Sequence, residues 1–73
     1  MTTLGNRLKE LRLEANLSQS EAAKIMDKTL RTYQRYENDE REPGIRAALN
    51  LARYYNVSVN YLVGDSDDRN YES

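Results

Sequence analysis

The chain has no cysteine and no histidine. The first absence removes disulfides and thiolate metal sites and fits a reducing compartment. The two together remove the usual general bases, nucleophiles and zinc ligands, so enzymatic chemistry is not expected. Only three glycines and one proline occur in 73 residues, and no glycine-rich phosphate loop is among them. No apolar run approaches the ~18 residues of a membrane span. No apolar core follows a basic start, as it would in a signal peptide. There is no internal repeat and no low-complexity tract beyond an acidic C-terminal stretch. The expectation is a cytoplasmic protein with no cofactor, no metal and no membrane partner.

What is present is one domain's worth of chain. A domain of this size buries only ~60% of its extended surface, and an all-helical fold suits it because local contacts cost little loop entropy. The net charge is -1, which argues at first against a nucleic-acid partner. Its distribution argues the other way. Residues 1 to 36 carry seven Lys or Arg against four Asp or Glu, and residues 37 to 73 carry four against eight. One half can face phosphates while the other stays in solvent.

The most informative stretch runs from Ser18 to Asn38, SQSEAAKIMDKTLRTYQRYEN. Ser18 and Glu21 make a capping box. Ala22, Ala23, Ile25 and Met26 then give an apolar side at helical spacing. Asp27 and Lys28 interrupt the pattern, and Thr29 restarts it as a second N-cap. Two helices crossing over so short a turn need a small side chain at the crossing, which Ala23 supplies. Tyr33 and Tyr36 share one face of the second helix and read as packing. Leu30, Arg31, Gln34 and Arg35 lie on the other, where side chains can reach into a DNA major groove. Arginine can fork onto guanine and glutamine onto adenine, each good pair giving ~1–3 kcal/mol of discrimination. Thr29 and Arg31 sit at the N-terminal end that meets base edges in such helices, and Leu30 can pack on a thymine methyl. Arg35 lies one turn beyond Arg31. Gln34, at the edge of the strip, suits either a base or a phosphate. Lys28 suits a phosphate beside the groove.

These residues resemble the helix-turn-helix domain of the phage repressor and Cro type, the XRE family. The carriers are Leu17-Ser18-Gln19, Glu21, Ala23, Thr29, Tyr33, Tyr36-Glu37-Asn38, Pro43, Asn56-Val57-Ser58-Val59, Tyr61-Leu62 and Gly64. Their order and spacing cover Leu4 to Gly64. The resemblance implies a compact all-α, five-helix, lambda-repressor-like fold over residues 1–64, with the helix-turn-helix at about 18–38. It implies a sequence-specific regulator, a repressor binding double-stranded DNA as a homodimer on a two-part operator. It implies that Gln19, at the start of the second helix, hydrogen-bonds a phosphate. It implies that Glu37 pairs with an arginine or caps backbone, and that Val57, Val59, Tyr61 and Val63 form a twofold contact. The sequence departs from the family at Asp27 and Asp39, where glycine is usual, and at Lys28, often apolar.

In the remaining chain, Leu4, Leu8, Leu11 and Ala15 form one helical stripe over Leu4 to Ala15. Thr3 caps it and Asn16 stops it in the left-handed region. Leu13 falls off the stripe. Arg7 and Arg12 read first as solvated arginines and second as phosphate contacts. Glu37 to Gly44 is a polar loop closed by Pro-Gly. In it Arg41 suits the minor groove or a phosphate, against the repulsion of Asp39, Glu40 and Glu42. A fourth helix runs from Ile45 to about Tyr55 with a wide apolar face of Ile45, Ala48, Leu49, Leu51, Ala52 and Tyr55. Asn56 stops it. Ser58 caps a short fifth helix through Val63, and Gly64 ends that. Residues 65–73 read as an acidic, frayed tail. Asp65, Asp67 and Asp68 lack the spacing and bidentate Glu of a calcium loop. The near-neutral charge and acidic loop keep one alternative open: a module or antitoxin that binds a protein partner with the same fold.

Overall fold

Five helices follow in order: α1 Leu4–Glu14, α2 Gln19–Ile25, α3 Leu30–Glu37, α4 Ile45–Tyr55 and α5 Val59–Leu62. They are seen in a computed structural model that describes residues 2–69, and among those residues there is no strand. None of these helices is long and apolar enough to cross a membrane.

The helix starts are set by single oxygens. Thr3, Ser18, Thr29 and Ser58 each accept a hydrogen bond from the backbone N–H three residues on. Each thereby satisfies a donor that the first turn leaves without an intrahelical partner. Only α4 starts without a side-chain cap, at Gly44. The helix ends are equally uniform. A left-handed residue follows each helix: Asn16 (φ 59°), Asp27 (58°), Asp39 (59°), Asn56 (57°) and Gly64 (85°). Beyond each, the next N–H reaches back to the last turn, as Leu17 to Arg12 O, Lys28 to Ala23 O and Val57 to Ala52 O. The left-handed region costs an ordinary residue roughly 1–2 kcal/mol, and Asn and Asp bear it best after glycine.

The core joins Leu8 and Leu11 of α1, Ala22 and Ala23 of α2, Tyr33 and Tyr36 of α3, Leu51 and Ala52 of α4, and Leu62 of α5. α3 packs on α1 and α2, while α5 packs on α4 and α1. Gly5 is where α1 meets the end of α3. A methyl group there would run into the Glu37 carbonyl and the Asp39 side chain.

Several expectations fail for one reason: helical spacing shows which residues share a face, not how much of it a neighbour covers. Ala15 is exposed, as are Ile25, Ile45 and Leu49. Ile45, in the first turn of α4, is 79% exposed. In the opposite direction, Val57 and Tyr61 are core residues and not part of an outer contact surface. Arg7 is also buried. Its guanidinium lies 3.6 Å over the Tyr61 ring and Nη2 donates to Asp67 Oδ1 at 3.2 Å.

The frayed-tail expectation fails for residues 65–69, and residues 70–73 lie outside the described residues. Arg69 donates to both carboxylate oxygens of Glu14, at 2.8 and 2.6 Å, and through Nε to the Tyr61 hydroxyl at 2.8 Å. Its carbonyl accepts from Ser58 N. The segment straps α5 to α1 with Tyr61 between two arginines. Charge composition alone gives no sign of this, because the carboxylate that Arg69 meets lies 55 positions away in sequence.

Asp39 tests the account of the helix ends. Its carboxylate accepts from Gly5 N at 2.9 Å and from the Thr3 hydroxyl at 2.7 Å. Asp27 has no such contact among the described residues. Asp27→Gly should therefore be neutral or stabilising, by up to about 0.5 kcal/mol. Asp39→Gly should destabilise by about 1 kcal/mol despite the same backbone relief, because α1 loses an N-terminal acceptor. Urea unfolding of the two variants checks the contrast.

Candidate nucleic-acid interface

The α2–turn–α3 unit is assembled as its sequence signals indicate. Ser18 Oγ accepts from Glu21 N at 3.1 Å, and the Glu21 carboxylate accepts from Ser18 N at 2.9 Å. These bonds hold the Glu21 carboxyl below the ordinary carboxylate range. The turn closes at Asp27, and Thr29 opens α3 with its hydroxyl accepting from Thr32 N.

α3 has two sharply different sides. Tyr33, at 1% exposure, and Tyr36 lie against α1 and α2. Glu37 lies on the same inner side and meets Arg12 of α1. Arg12 Nε donates to Glu37 Oε2 at 2.6 Å and Nη2 to Oε1 at 3.4 Å. Arg12 Nη1 donates to Leu17 O at 3.0 Å, at the entrance to α2. Burial alone would raise the Glu37 carboxyl. The Arg12 and Gln19 hydrogen bonds outweigh it and hold the group below its ordinary range. The same contact raises Arg12. Burial pushes the Tyr33 hydroxyl strongly up, aided by the nearby Glu37 carboxylate. Among the described residues that hydroxyl makes no hydrogen bond of proper geometry. Arg12 is therefore a brace and not a phosphate contact. The pairing of Glu37 with an arginine is as the resemblance implied.

The outer side of α3 carries the expected contact residues. Leu30 is 41% exposed, Arg31 is exposed, and Gln34 and Arg35 are half-buried. Lys28 and Thr29 are exposed just before them, and Arg41 is exposed in the loop after. Among the described residues no ion pair holds Lys28, Arg31, Arg35 or Arg41. Thr29 is partly occupied, its hydroxyl also donating to Thr32 Oγ1 at 3.0 Å. Gln19 is turned inward. Nε2 donates to Glu37 Oε1 at 3.1 Å, and Oε1 accepts from Gln34 Nε2 at 3.2 Å. One N–H of Gln19 is left over, because a primary amide has two.

Asp39 was expected to repel phosphate beside Arg41. Its carboxylate instead faces Thr3 and Gly5. Sequence reasoning also passed over Arg46, exposed in the first turn of α4. Arg46 and Lys28 stand on the walls of one open groove of about 260 Å³, so the cationic surface extends from the turn to α4. The signal was available: a lone arginine after Pro-Gly, at a helix start where a cation gains nothing from the dipole. Of the expected twofold contact, half-buried Val59 and exposed Val63 remain. Val63 lines a shallow cavity with Leu4, Pro43 and Ala48.

Comparison with known proteins places this geometry. The helix-turn-helix family model matches residues 8–62. The HTH-type transcriptional regulator ImmR of Bacillus subtilis (strain 168) is 40% identical over 65 residues, covering 89% of this chain and 51% of that protein. The cryptic phage CTXphi transcriptional repressor RstR of Vibrio cholerae is 32% identical over 62 residues, covering 85% and 56%. The chain thus spans about half the length of these relatives. Among solved structures, a transcriptional regulator from Listeria innocua superposes with a TM-score of 0.81 at 29% identity, covering 85% of this chain and 58% of that one. The P22 c2 repressor protein, in complex with synthetic operator 9T in the presence of Tl+, superposes with a TM-score of 0.80 at 21% identity, covering 90% and 100%. That last likeness is one of fold.

The Arg12–Glu37 pair predicts an acid-sensitive stability. A carboxylate whose folded pKa is depressed stabilises the fold above its unfolded pKa, and that contribution is lost as pH falls through the folded value. Glu37→Gln should cost about 3 kcal/mol at pH 7, because it leaves a buried guanidinium without its counter-charge. It should also flatten the fall in stability below about pH 4.5, the ordinary carboxylate range. Chemical denaturation at neutral and acid pH measures both effects.

Proposed function

The chain belongs to the helix-turn-helix family of the phage-repressor type, and on that premise we propose that it is a sequence-specific DNA-binding transcriptional repressor. The observation that carries this reading is the outer face of α3. It presents Arg31 and Arg35, which no ion pair holds among the described residues, on a helix whose inner face is fixed by two tyrosines and a buried salt bridge. In the proposed mode α3 enters the major groove of double-stranded DNA. Arg31 and Arg35 read guanine edges, and Leu30 packs on a thymine methyl. Lys28, Thr29 and the remaining Gln19 N–H meet the backbone at the start of the unit, with Arg41 beyond it. The charge distribution supports this reading. Three arginines, Arg7, Arg12 and Arg69, are engaged by carboxylates of the fold, while among the described residues no ion pair holds the cations around α3. The acidic loop that motivated a protein-binding module loses weight, since Asp39 is committed to α1.

The proposed assembly is a homodimer on two half-sites ~10 base pairs apart, centre to centre. Val59 and Val63 on α5 are the residues left to make the contact.

Arg31→Ala and Arg35→Ala should each weaken binding to a selected site by roughly 5- to 100-fold and relax the preference at one base pair. Lys28→Ala should weaken binding to all sequences alike and lower the slope of log affinity against log salt by about 1. Fluorescence anisotropy across a salt series separates the two behaviours. If both arginine variants bind every sequence as the parent does, α3 is not the reader. For the assembly, Val63→Glu should leave the fold intact and shift sedimentation on a two-part site from two bound copies towards one.

A further inference from the structure

α2 and α4 do not pack closely together, and the open groove of about 260 Å³ lies between them. Its lining is largely apolar and comes from both helices. Ile25 of α2 and Tyr54 of α4 are 40% and 51% exposed, and buried Leu51 belongs to the lining as well. Neither Ile25 nor Tyr54 is part of the core cluster. Tyr54 is nonetheless held, because its ring meets the Tyr55 ring edge-on at 5.1 Å, a favourable aromatic geometry. The rim is cationic. Lys28 and Arg46 line the groove, and Lys24 and Arg53, each the chain neighbour of an apolar lining residue, are exposed. Among the described residues no ion pair holds any of the four. Across residues 24–28 and 46–54 the only carboxylate is Asp27.

An exposed apolar patch with a polar rim marks an interaction surface. Here the chemistry narrows the occupant. A DNA backbone offers charge to Lys28 and Arg46 but leaves Ile25 and Tyr54 in water. Drug-sized ligands take pockets of roughly 300–1,000 Å³ that enclose most of their surface, more than this open groove provides. A peptide segment that lowers one leucine or aromatic side chain between the helices, and keeps its carboxylates at the rim, satisfies both parts. We propose that the groove between α2 and α4 is a docking site for an acidic segment of another protein, anchored by one apolar side chain. Ile25 and Tyr54 grip the anchor. Arg46 and Arg53 steer and pair the carboxylates. Lys28 is claimed twice, by a DNA phosphate in the mode proposed above and by a carboxylate of the docked segment. On that DNA-binding reading, docking removes about one phosphate contact, a loss of roughly fivefold in DNA affinity at physiological salt. The preferred sequence stays the same, because Arg31 and Arg35 lie outside the groove. DNA weakens docking by the same factor.

The test is selection of short peptides from a random displayed library on the immobilised full chain, without DNA. Enriched peptides should be acidic and carry a leucine or aromatic residue at a fixed place. A synthetic copy of one should shift the backbone amide resonances of Ala47, Asn50 and Tyr54 ahead of those of Arg31 and Arg35. Tyr54→Ala and Arg46→Glu should each weaken that peptide by about tenfold or more. Both positions are exposed, and a melt equal to the parent's shows that the fold is kept. Tyr54→Ala should bind DNA as the parent does. A neutral or basic consensus, no enrichment, or shifts centred on the outer face of α3 overturns the proposal, the last by making the peptide a mimic of DNA. Self-association of the parent that Tyr54→Ala reduces in sedimentation also overturns it, since the occupant is then a second copy. Anisotropy with labelled DNA reads the coupling. Saturating peptide should weaken the parent's DNA binding about fivefold and leave that of Lys28→Ala unchanged. An equal loss in both proteins, or none in the parent, overturns the sharing of Lys28. A parent that binds no DNA overturns the DNA-binding reading and the coupling with it, while the peptide results alone decide the docking site.

Discussion

The fold turns on the ion pair between Arg12 and Glu37. It joins α1 to the last turn of α3, and a third hydrogen bond from Arg12 fixes the backbone where α2 begins. Three helices thus meet at one guanidinium. A buried pair of this kind is weak evidence for added stability, since desolvating both charges offsets most of the attraction. Its value here is geometric. A planar fork of five donors accepts few arrangements of its neighbours. The helix that carries Arg31 and Arg35 is consequently held at one angle and one depth. A more permissive apolar contact at this place would leave α3 free to roll about the Tyr33–Tyr36 face.

What the sequence made legible was local. All four side-chain caps, the left-handed stops at Asn16 and Asn56 and the turn at Asp27 were readable, because each depends on residues within a turn of one another. The two faces of α3 were readable for the same reason. What failed depended on partners far along the chain. Arg7 and Arg12 look like solvated helical arginines until Tyr61, Asp67 and Glu37 arrive beside them. Gln19 looked like an outward-facing residue because the amide of Gln34 is fifteen positions away. Val57 and Tyr61 were expected on the surface. An apolar excess in a short final helix looks the same whether it covers the core or meets a second copy.

The strap after Gly64 changes how α5 is understood. A helix of four residues has little stability of its own. Its position comes from Ser58 and Tyr61, which are bound from the far side by Asp68 and Arg69. The orientation of Val59 and Val63 is therefore set partly by a segment whose composition suggests a solvated tail. Charge content describes a disordered segment well only when no opposite charge waits for it on the folded surface.

Asp39 clasps Thr3 and Gly5 across 36 and 34 positions of chain. The first helix, the helix-turn-helix and the residue after it are thereby shut into a ring, with Arg12 and Glu37 as a crossbar inside it. Nothing in α4 or α5 takes part in that closure. Partial opening of the molecule can peel the C-terminal helices away while the ring stays shut. The bonds that set α3 against α1 are thus separate from those that set α5, and the surface that carries Arg31 is held by a different set of contacts from the surface that carries Val63.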